Sequence, residues 1–143
     1  MDFLNEYFQY DNGLTITGLT KELNSFYVLN LFNKEKRNIL ILTNTLYEAN
    51  TYYDLLSRYQ RNVYLFPMDD FLTSVAVAIS PDLKVKRLET LENISKNEKS
   101  IVVTNLMGFL KYLPNKDDKN NLEYELSVGR KISRDELVSL LDY

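Results

Sequence analysis

The segment from Gly18 to Ser25 has the spacing of a phosphate-binding loop but lacks two residues that such a loop needs. In the motif G-x-x-x-x-G-K-[ST], backbone amides surround the phosphates and the lysine contacts the terminal ones. Leu23 replaces the second glycine, where its side chain would crowd those amides, and Asn24 replaces the lysine, which leaves no charge for the phosphates. The segment therefore predicts either an inactive nucleotide loop or an ordinary strand-to-helix turn.

Two adjacent carboxylates, Asp69 and Asp70, follow a short apolar segment that ends at Phe66. Acidic residues at the carboxyl ends of strands hold magnesium in many α/β enzymes. This supports an alternative hypothesis, a small enzyme domain that binds a phosphorylated ligand with the Gly18 loop and the two aspartates. Because no phosphate lysine precedes them, the sequence favours solvation of a loop as their role.

Lys84 and Arg87 lie about one turn apart on a helix that is predicted to start at Ser80, with Lys86 between them. A solvated helix face is the ordinary interpretation of this cluster. The functional alternatives are contact with a partner, anchoring of a domain by Arg87, and binding of nucleic acid together with nearby tyrosines. The net charge of −3 argues against nucleic-acid binding.

The composition excludes several kinds of chemistry, because the chain has neither cysteine nor histidine. Thiol nucleophiles, disulfides, Cys/His zinc sites and histidine-containing triads are therefore ruled out. We predict no catalytic residue and no metal site. The N-terminus lacks the pattern of a signal peptide and no apolar run approaches membrane-spanning length, so we expect a cytoplasmic protein without a membrane partner.

Strand and helix patterns alternate along the chain and predict an α/β fold with a parallel sheet flanked by helices. The continuous apolar run in residues 38–43 indicates a strand that is covered on both faces. Thr45 and Glu48 form a capping box for the next helix, and Ser80 with Pro81 starts a later one, with Leu88 on its inner stripe beside Leu91 and Ile94. The predicted strands are 14–17, 38–43, 63–66 and 100–104, and the predicted helices are 2–10, 20–33, 45–56, one from Ser80, and 105–113.

A polar loop at residues 115–121 is the predicted boundary between a first domain, 1–114, and the start of a second, 122–143. In the second part, residues 122–128 alternate apolar and polar as in a half-exposed strand, Gly129 turns the chain, and Ser133 with Glu136 forms another capping box. A domain of about twenty residues is too short to be complete, so we expect a fragment of a longer protein.

Taken in order, these segments resemble the N-terminal UvrB-like module of the bacterial transcription-repair coupling factors, the Mfd family. The resemblance extends over nearly the whole chain. Its most specific parts are the turn Phe66-Pro67-Met68-Asp69-Asp70, the Ser80-Pro81 helix with Arg87-Leu88-Glu89-Thr90-Leu91, and the stretch Leu126-Ser127-Val128-Gly129-Arg130-Lys131.

This resemblance implies that residues 1–114 form a RecA-like, P-loop NTPase-like domain without a working nucleotide site, which agrees with the altered loop at Gly18. Residues 122–143 would begin the second domain, which in the family recruits the damage-recognition protein UvrA. The family's UvrA-contacting positions lie beyond Tyr143. The chain departs from the family where Thr20-Lys21-Glu22-Leu23 follows the first predicted strand, because this turn has neither the glycine nor the serine usual there.

The resemblance also implies a function, nucleotide excision repair coupled to transcription. The parent protein would be an ATP-dependent DNA translocase whose ATP, magnesium, DNA and RNA polymerase all bind to downstream domains. For this chain the resemblance implies no cofactor. It implies a non-catalytic scaffold that links stalled RNA polymerase to UvrA and contacts other domains of the same parent chain.

Overall fold

The computed structural model describes residues 15–35, 37–70, 80–96, 99–113, 127–129 and 131–141. The chain divides into two units, Met1–Lys111 and Tyr112–Tyr143. The elements in chain order are α1 (Lys21–Lys34), β1 (Ile39–Thr43), α2 (Leu46–Ser57), β2 (Val63–Phe66), α3 (Pro81–Lys96), β3 (Ile101–Asn105), α4 (Leu106–Phe109) and α5 (Arg134–Leu141).

The described part of the first unit contains a three-stranded parallel sheet in the order β1-β3-β2. Ile39 of β1 pairs with Ile101 of β3, which pairs on its other side with Val63 of β2. Parallel neighbours require crossover connections, and helices α2 and α3 lie within those connections. The prediction of an α/β fold with a parallel sheet flanked by helices is therefore confirmed.

One face of the sheet carries the apolar core. Side chains from α1, α2, β2 and β3 form the buried cluster, and Ile39 and Ile41 of β1 pack against it. Burying such side chains removes apolar surface from water, which is the main stabilising contribution to the fold. The buried members are Leu29, Phe32, Ala49, Leu56, Val63, Leu65, Ile101 and Val103.

Local sequence signals fix the starts of the first two helices. Thr20 is the N-cap of α1, where its side chain accepts a hydrogen bond from the Leu23 backbone N–H. Thr45 does the same for α2 through the Glu48 N–H at 3.2 Å, and the Glu48 carboxylate accepts in return from the Asn44 N–H. These bonds satisfy amides that have no partner within the first turn of a helix. The predicted cap by Thr45 is thus present, whereas the Glu48 carboxylate bonds to the Asn44 N–H rather than to the Thr45 N–H.

The opposite face of the sheet differs from the prediction. Leu40 and Leu42 of β1 are 54% and 47% exposed, so the strand is not covered on both faces by the described residues. The predicted first strand is also wrong in its described part, because residues 15–17 form no strand. An apolar run indicates that a strand is buried, but it does not show which element covers each of its faces.

The inner stripe predicted for α3 is wrong at Leu88, whereas Leu91 and Ile94 are half-buried. Leu88 is 64% exposed, and the buried residues of this helix are Arg87 and Thr90. The threonine hydroxyl donates to the Leu65 carbonyl at 2.6 Å on the outer strand β2. The helix therefore meets β2, the edge strand among the described residues, with polar side chains, because an edge strand presents unpaired carbonyl groups.

The predicted helix 105–113 is shorter in the structure, where α4 ends at Phe109.

In the second unit, α5 begins directly after Ser133, as the predicted capping box requires, and Gly129 adopts a positive φ of 94° in a turn. Ser127 and Val128 are not in a strand, and the rest of the strand predicted at 122–128 lies outside the described residues. The predicted helix 2–10 and the linker 115–121 lie outside them too. None of the described helices is long and apolar enough to cross a membrane.

Candidate functional site at the carboxyl edge of the sheet

The segment from Gly18 to Ser25 is mostly helix rather than loop. Gly18 has a positive φ of 79°, and two residues later Thr20 caps α1, which starts at Lys21. The positions that correspond to the motif's second glycine, its lysine and its hydroxyl therefore lie inside the helix. The Asn24 N–H already donates to the Thr20 carbonyl at 2.9 Å. The Leu23 N–H likewise donates to the Thr20 side chain, so two amides of the segment are bonded within the helix start.

The side chains of this segment are also engaged. Ser25 is buried, and its hydroxyl donates to the Lys21 carbonyl at 2.9 Å. The Asn24 side-chain amide lies 3.3 Å from the hydroxyl of Tyr52 on α2. Leu23 is exposed. The Lys21 ammonium lies 5.8 Å from the centre of the Tyr47 ring, which brings the start of α1 close to the start of α2.

Asp70 lies at the start of α2 and holds it. Both carboxylate oxygens lie 2.9 Å from the N–H of Leu46, the first residue of that helix. A carboxylate at this position is stabilised by the unpaired amides and by the positive end of the helix dipole. The aspartate that the sequence offered as a magnesium ligand thus accepts hydrogen bonds from the protein's own backbone.

Asn105, at the end of β3, connects Asp70 to the turn after β2. Its side-chain N–H groups donate to the Met68 carbonyl and to the Asp70 carboxylate, both at 2.7 Å. Its side-chain oxygen accepts from the N–H groups of Met68 at 3.2 Å and Gly108 at 3.3 Å. All four hydrogen-bonding positions of this fully buried amide are therefore used.

Gly108 packs tightly against this group of residues. A β-carbon at this position would lie 2.4 Å from the Thr104 hydroxyl oxygen and 2.9 Å from the Phe66 carbonyl oxygen. The Thr104 hydroxyl in turn donates to that carbonyl at 2.7 Å. Only glycine lets the short helix α4 approach the ends of β2 and β3 so closely.

Arg87 is buried beside the same turn. Its guanidinium donates to the Pro67 carbonyl at 2.8 Å. Burial lowers the pKa of Arg87 because it penalises the charged form, and the nearby Asp69 carboxylate acts in the opposite direction. The contact fixes α3 to the turn that carries both aspartates. Lys84 and Lys86 are exposed on the same helix, so the basic trio predicted from the sequence is divided between interior and surface.

These contacts form a structural centre, which we call the carboxyl-edge network and define as Asp70, Asn105, Met68, Leu46 and Gly108. No group of three or more Asp, Glu, His or Cys side chains suitable for a metal ion occurs among the described residues. The network brings together one predicted residue, Asp70, with Asn105, which the sequence analysis did not select. The sequence did carry a signal for Asn105, since asparagine is a preferred N-cap and this one stands between a buried strand and a helix.

Comparison with known proteins identifies relatives named transcription-repair-coupling factor. The chain is 29% identical over 140 residues to the transcription-repair-coupling factor of Staphylococcus epidermidis, and 27% identical over 128 residues to that of Bacillus subtilis. A third relative with the same name, from Staphylococcus haemolyticus, is 27% identical over 140 residues. These alignments cover 96%, 88% and 96% of the chain, respectively. The resemblance predicted from the motifs is confirmed.

The chain spans only about 12% of the length of the Staphylococcus relatives and 11% of the Bacillus one. No protein-family model matches the chain. No solved structure is significantly similar to it.

Proposed function

We propose that this chain is a non-catalytic scaffold domain of a transcription-repair coupling factor and acts in nucleotide excision repair in the cytoplasm. The observation that carries the proposal is the similarity to transcription-repair-coupling factors over nearly the whole chain. In this proposal the domain has a RecA-like origin and belongs to the UvrB-like module at the start of such a factor.

The geometry of the sheet edge supports a scaffold role. In an active P-loop domain the amides after the first strand and the carboxylates at the strand ends face a nucleotide and its metal. Here α1 begins inside the loop segment, and the Asp70 carboxylate accepts hydrogen bonds from the Leu46 N–H and the Asn105 amide. The groups that would perform phosphate chemistry instead stabilise the fold.

The enzyme alternative has no comparable support. It requires Asp69 and Asp70 to act on a ligand held by the Gly18 segment, and the Asp70 carboxylate is already bonded to the protein. Direct nucleic-acid binding through Lys84, Lys86 and Arg87 is also disfavoured, because the arginine is buried and donates to the Pro67 carbonyl. A buried cation already bonded to the backbone makes no contact with a phosphate.

The proposed partner is UvrA, bound mainly through the domain that would follow residue 122, and the parent protein would contact RNA polymerase and DNA through other domains. ATP and magnesium would serve the parent's motor domains, so this domain needs neither. The experiment is a UvrA pull-down with this chain beside a version extended through the second domain. We expect the longer chain to retain UvrA and this chain to retain little. Equal and strong retention by both would refute the assignment of UvrA binding to the second domain, and retention by neither would refute the recruitment role.

A further inference from the structure

A surface pocket beside β2 shares no lining residue with the carboxyl-edge network. It has a volume of about 290 Å³ and lies where α2, β2 and α3 meet. Its lining includes Tyr53 of α2, Tyr64 of β2, Arg61 before that strand, and Lys86, Glu89 and Asn93 of α3. This volume lies at the lower limit of pockets that enclose small molecules, which is about 300 Å³. A pocket of this volume can accommodate one side chain inserted by a partner protein.

The two cationic side chains in the lining, Arg61 and Lys86, form no ion pair with a described carboxylate. The ion pairs among the described residues are Arg37 with Glu35 and Lys96 with Glu92, so neither Arg61 nor Lys86 is neutralised by a described carboxylate. Both cations are exposed. With the single carboxylate of Glu89, the lining carries one excess positive charge. This is a local exception in a chain whose net charge is −3.

The other lining residues suit a protein contact. Tyr53 and Tyr64 are half-buried and line the pocket together with the cations. Tyrosine and arginine are enriched at the centres of protein interfaces, because they combine large contact area with hydrogen bonding. Two further lining residues are joined, since the Thr90 hydroxyl donates to the Leu65 carbonyl at 2.6 Å and links α3 to the strand.

We propose that this pocket is a docking site for a short acidic segment of a partner protein, with an Asp or Glu side chain placed between Arg61 and Lys86. The charge of the lining selects the occupant, because a carboxylate pairs with two cations that lack a described partner. The segment must be short, since the negative charge of the rest of the surface repels an extended acidic chain. This site lies outside the second domain to which UvrA binding is assigned, so the two proposals are independent.

The test is fluorescence anisotropy of a short dye-labelled oligoglutamate peptide on the full chain at low salt, with oligolysine as the charge-reversed control. The double variant R61Q/K86Q should weaken binding about tenfold or more, since it removes both charge-assisted contacts. The variant E89Q should strengthen it, because it removes the repelling carboxylate. These residues are exposed, and an unchanged thermal midpoint confirms that each variant folds.

The matched control is K84Q, which removes one positive charge from the same helix outside the pocket and should change the affinity by less than about twofold. Amide resonances of Thr90 and Asn93 should shift on titration of the wild-type chain. Equal losses in K84Q, K86Q and R61Q would show diffuse attraction and overturn the proposal. Absence of peptide binding at millimolar concentration, or binding of inorganic phosphate in its place, would overturn it as well.

Discussion

The start of α1 and the carboxyl-edge network are the two regions in which the sequence suggested nucleotide chemistry, and the polar groups of the two regions are bonded in different ways. At the start of α1, two of the bonds join near neighbours, since the Thr20 side chain accepts from the Leu23 N–H and the Ser25 hydroxyl donates to the Lys21 carbonyl, while the Asn24 amide contacts Tyr52 on α2. In the network, bonds span long stretches of chain, since Asn105 contacts Met68 and Asp70, 37 and 35 residues away.

The difference concerns how strongly each region is fixed. A helix start is exposed to water, which can replace a lost bond, so a change there costs little. A fully buried amide has no such replacement, and removing it leaves several polar groups without partners. The carboxyl-edge network should therefore dominate stability, and three substitutions test this in order of expected effect.

The largest effect is expected from N105A. It removes both donors and the acceptor of a fully buried amide, and it leaves the Met68 backbone and the Gly108 N–H without their partner. We expect a loss of about 3 to 5 kcal/mol in the free energy of unfolding. Urea denaturation followed by circular dichroism measures this value.

The matched control is N44A, at an exposed asparagine that also follows a strand and makes no side-chain hydrogen bond among the described residues. It should change the free energy of unfolding by less than about 0.5 kcal/mol. Similar losses in the two variants would mean that the network does not hold the sheet edge.

An intermediate effect is expected from G108A. The added methyl group would lie 2.4 Å from the Thr104 hydroxyl oxygen, so either α4 or the end of β3 must move. We expect a loss of about 2 kcal/mol, which thermal unfolding measures. The comparison is G18A at the start of α1, where a β-carbon meets open space and only the positive φ is unfavourable. That change should cost about 1 kcal/mol, and a larger cost than for G108A would reverse the ranking of the two regions.

The smallest effect is expected from T20A, which removes the cap of α1 and should lower the free energy of unfolding by about 1 kcal/mol. T20S should retain most of the stability of the cap, because serine also accepts a hydrogen bond there.

The same variant can be tested through the pKa of Glu22. Its own backbone N–H and the Thr20 hydroxyl lower this pKa in the folded chain. Carbon-detected NMR titration should show the pKa of Glu22 rising towards its ordinary value in T20A.

The sign of the associated pH effect follows from the lowered pKa. The contribution of Glu22 to stability is present above its pKa in the unfolded chain and is lost as the pH falls through its folded pKa. The stability difference between wild type and T20A should therefore shrink on acidification. A difference that grows at low pH would contradict the assigned hydrogen bonds.

Much of the fold followed from local sequence patterns. The predicted strand 63–66 matches β2, and the strands predicted at 38–43 and 100–104 lie within one residue of β1 and β3 at each end. The Thr45 capping box placed the start of α2 correctly, because a cap depends only on residues within one turn. These features are local, so their information is contained in a short window of sequence.

The features that were missed depend on contacts that no short window contains. Helical periodicity assigned Leu88 to the inside of α3, but the helix meets a strand edge whose carbonyl groups require donors, so Arg87 and Thr90 are buried instead. The position of Asn105 indicated an N-cap, but its bonds to the turn after β2 depend on contacts with residues far away in the chain. The sequence predicted which residues flank the sheet edge but not how they bond to one another.

We propose that the groups in which the sequence suggested nucleotide chemistry are structural in this chain, and thermal unfolding with and without millimolar magnesium-ATP tests this proposal most directly. A ligand present at a hundred times its Kd would stabilise the native state by about 2.7 kcal/mol, which is readily measured as a rise in Tm. We predict no magnesium-dependent change in Tm. A rise in Tm that requires both magnesium and ATP would contradict the account.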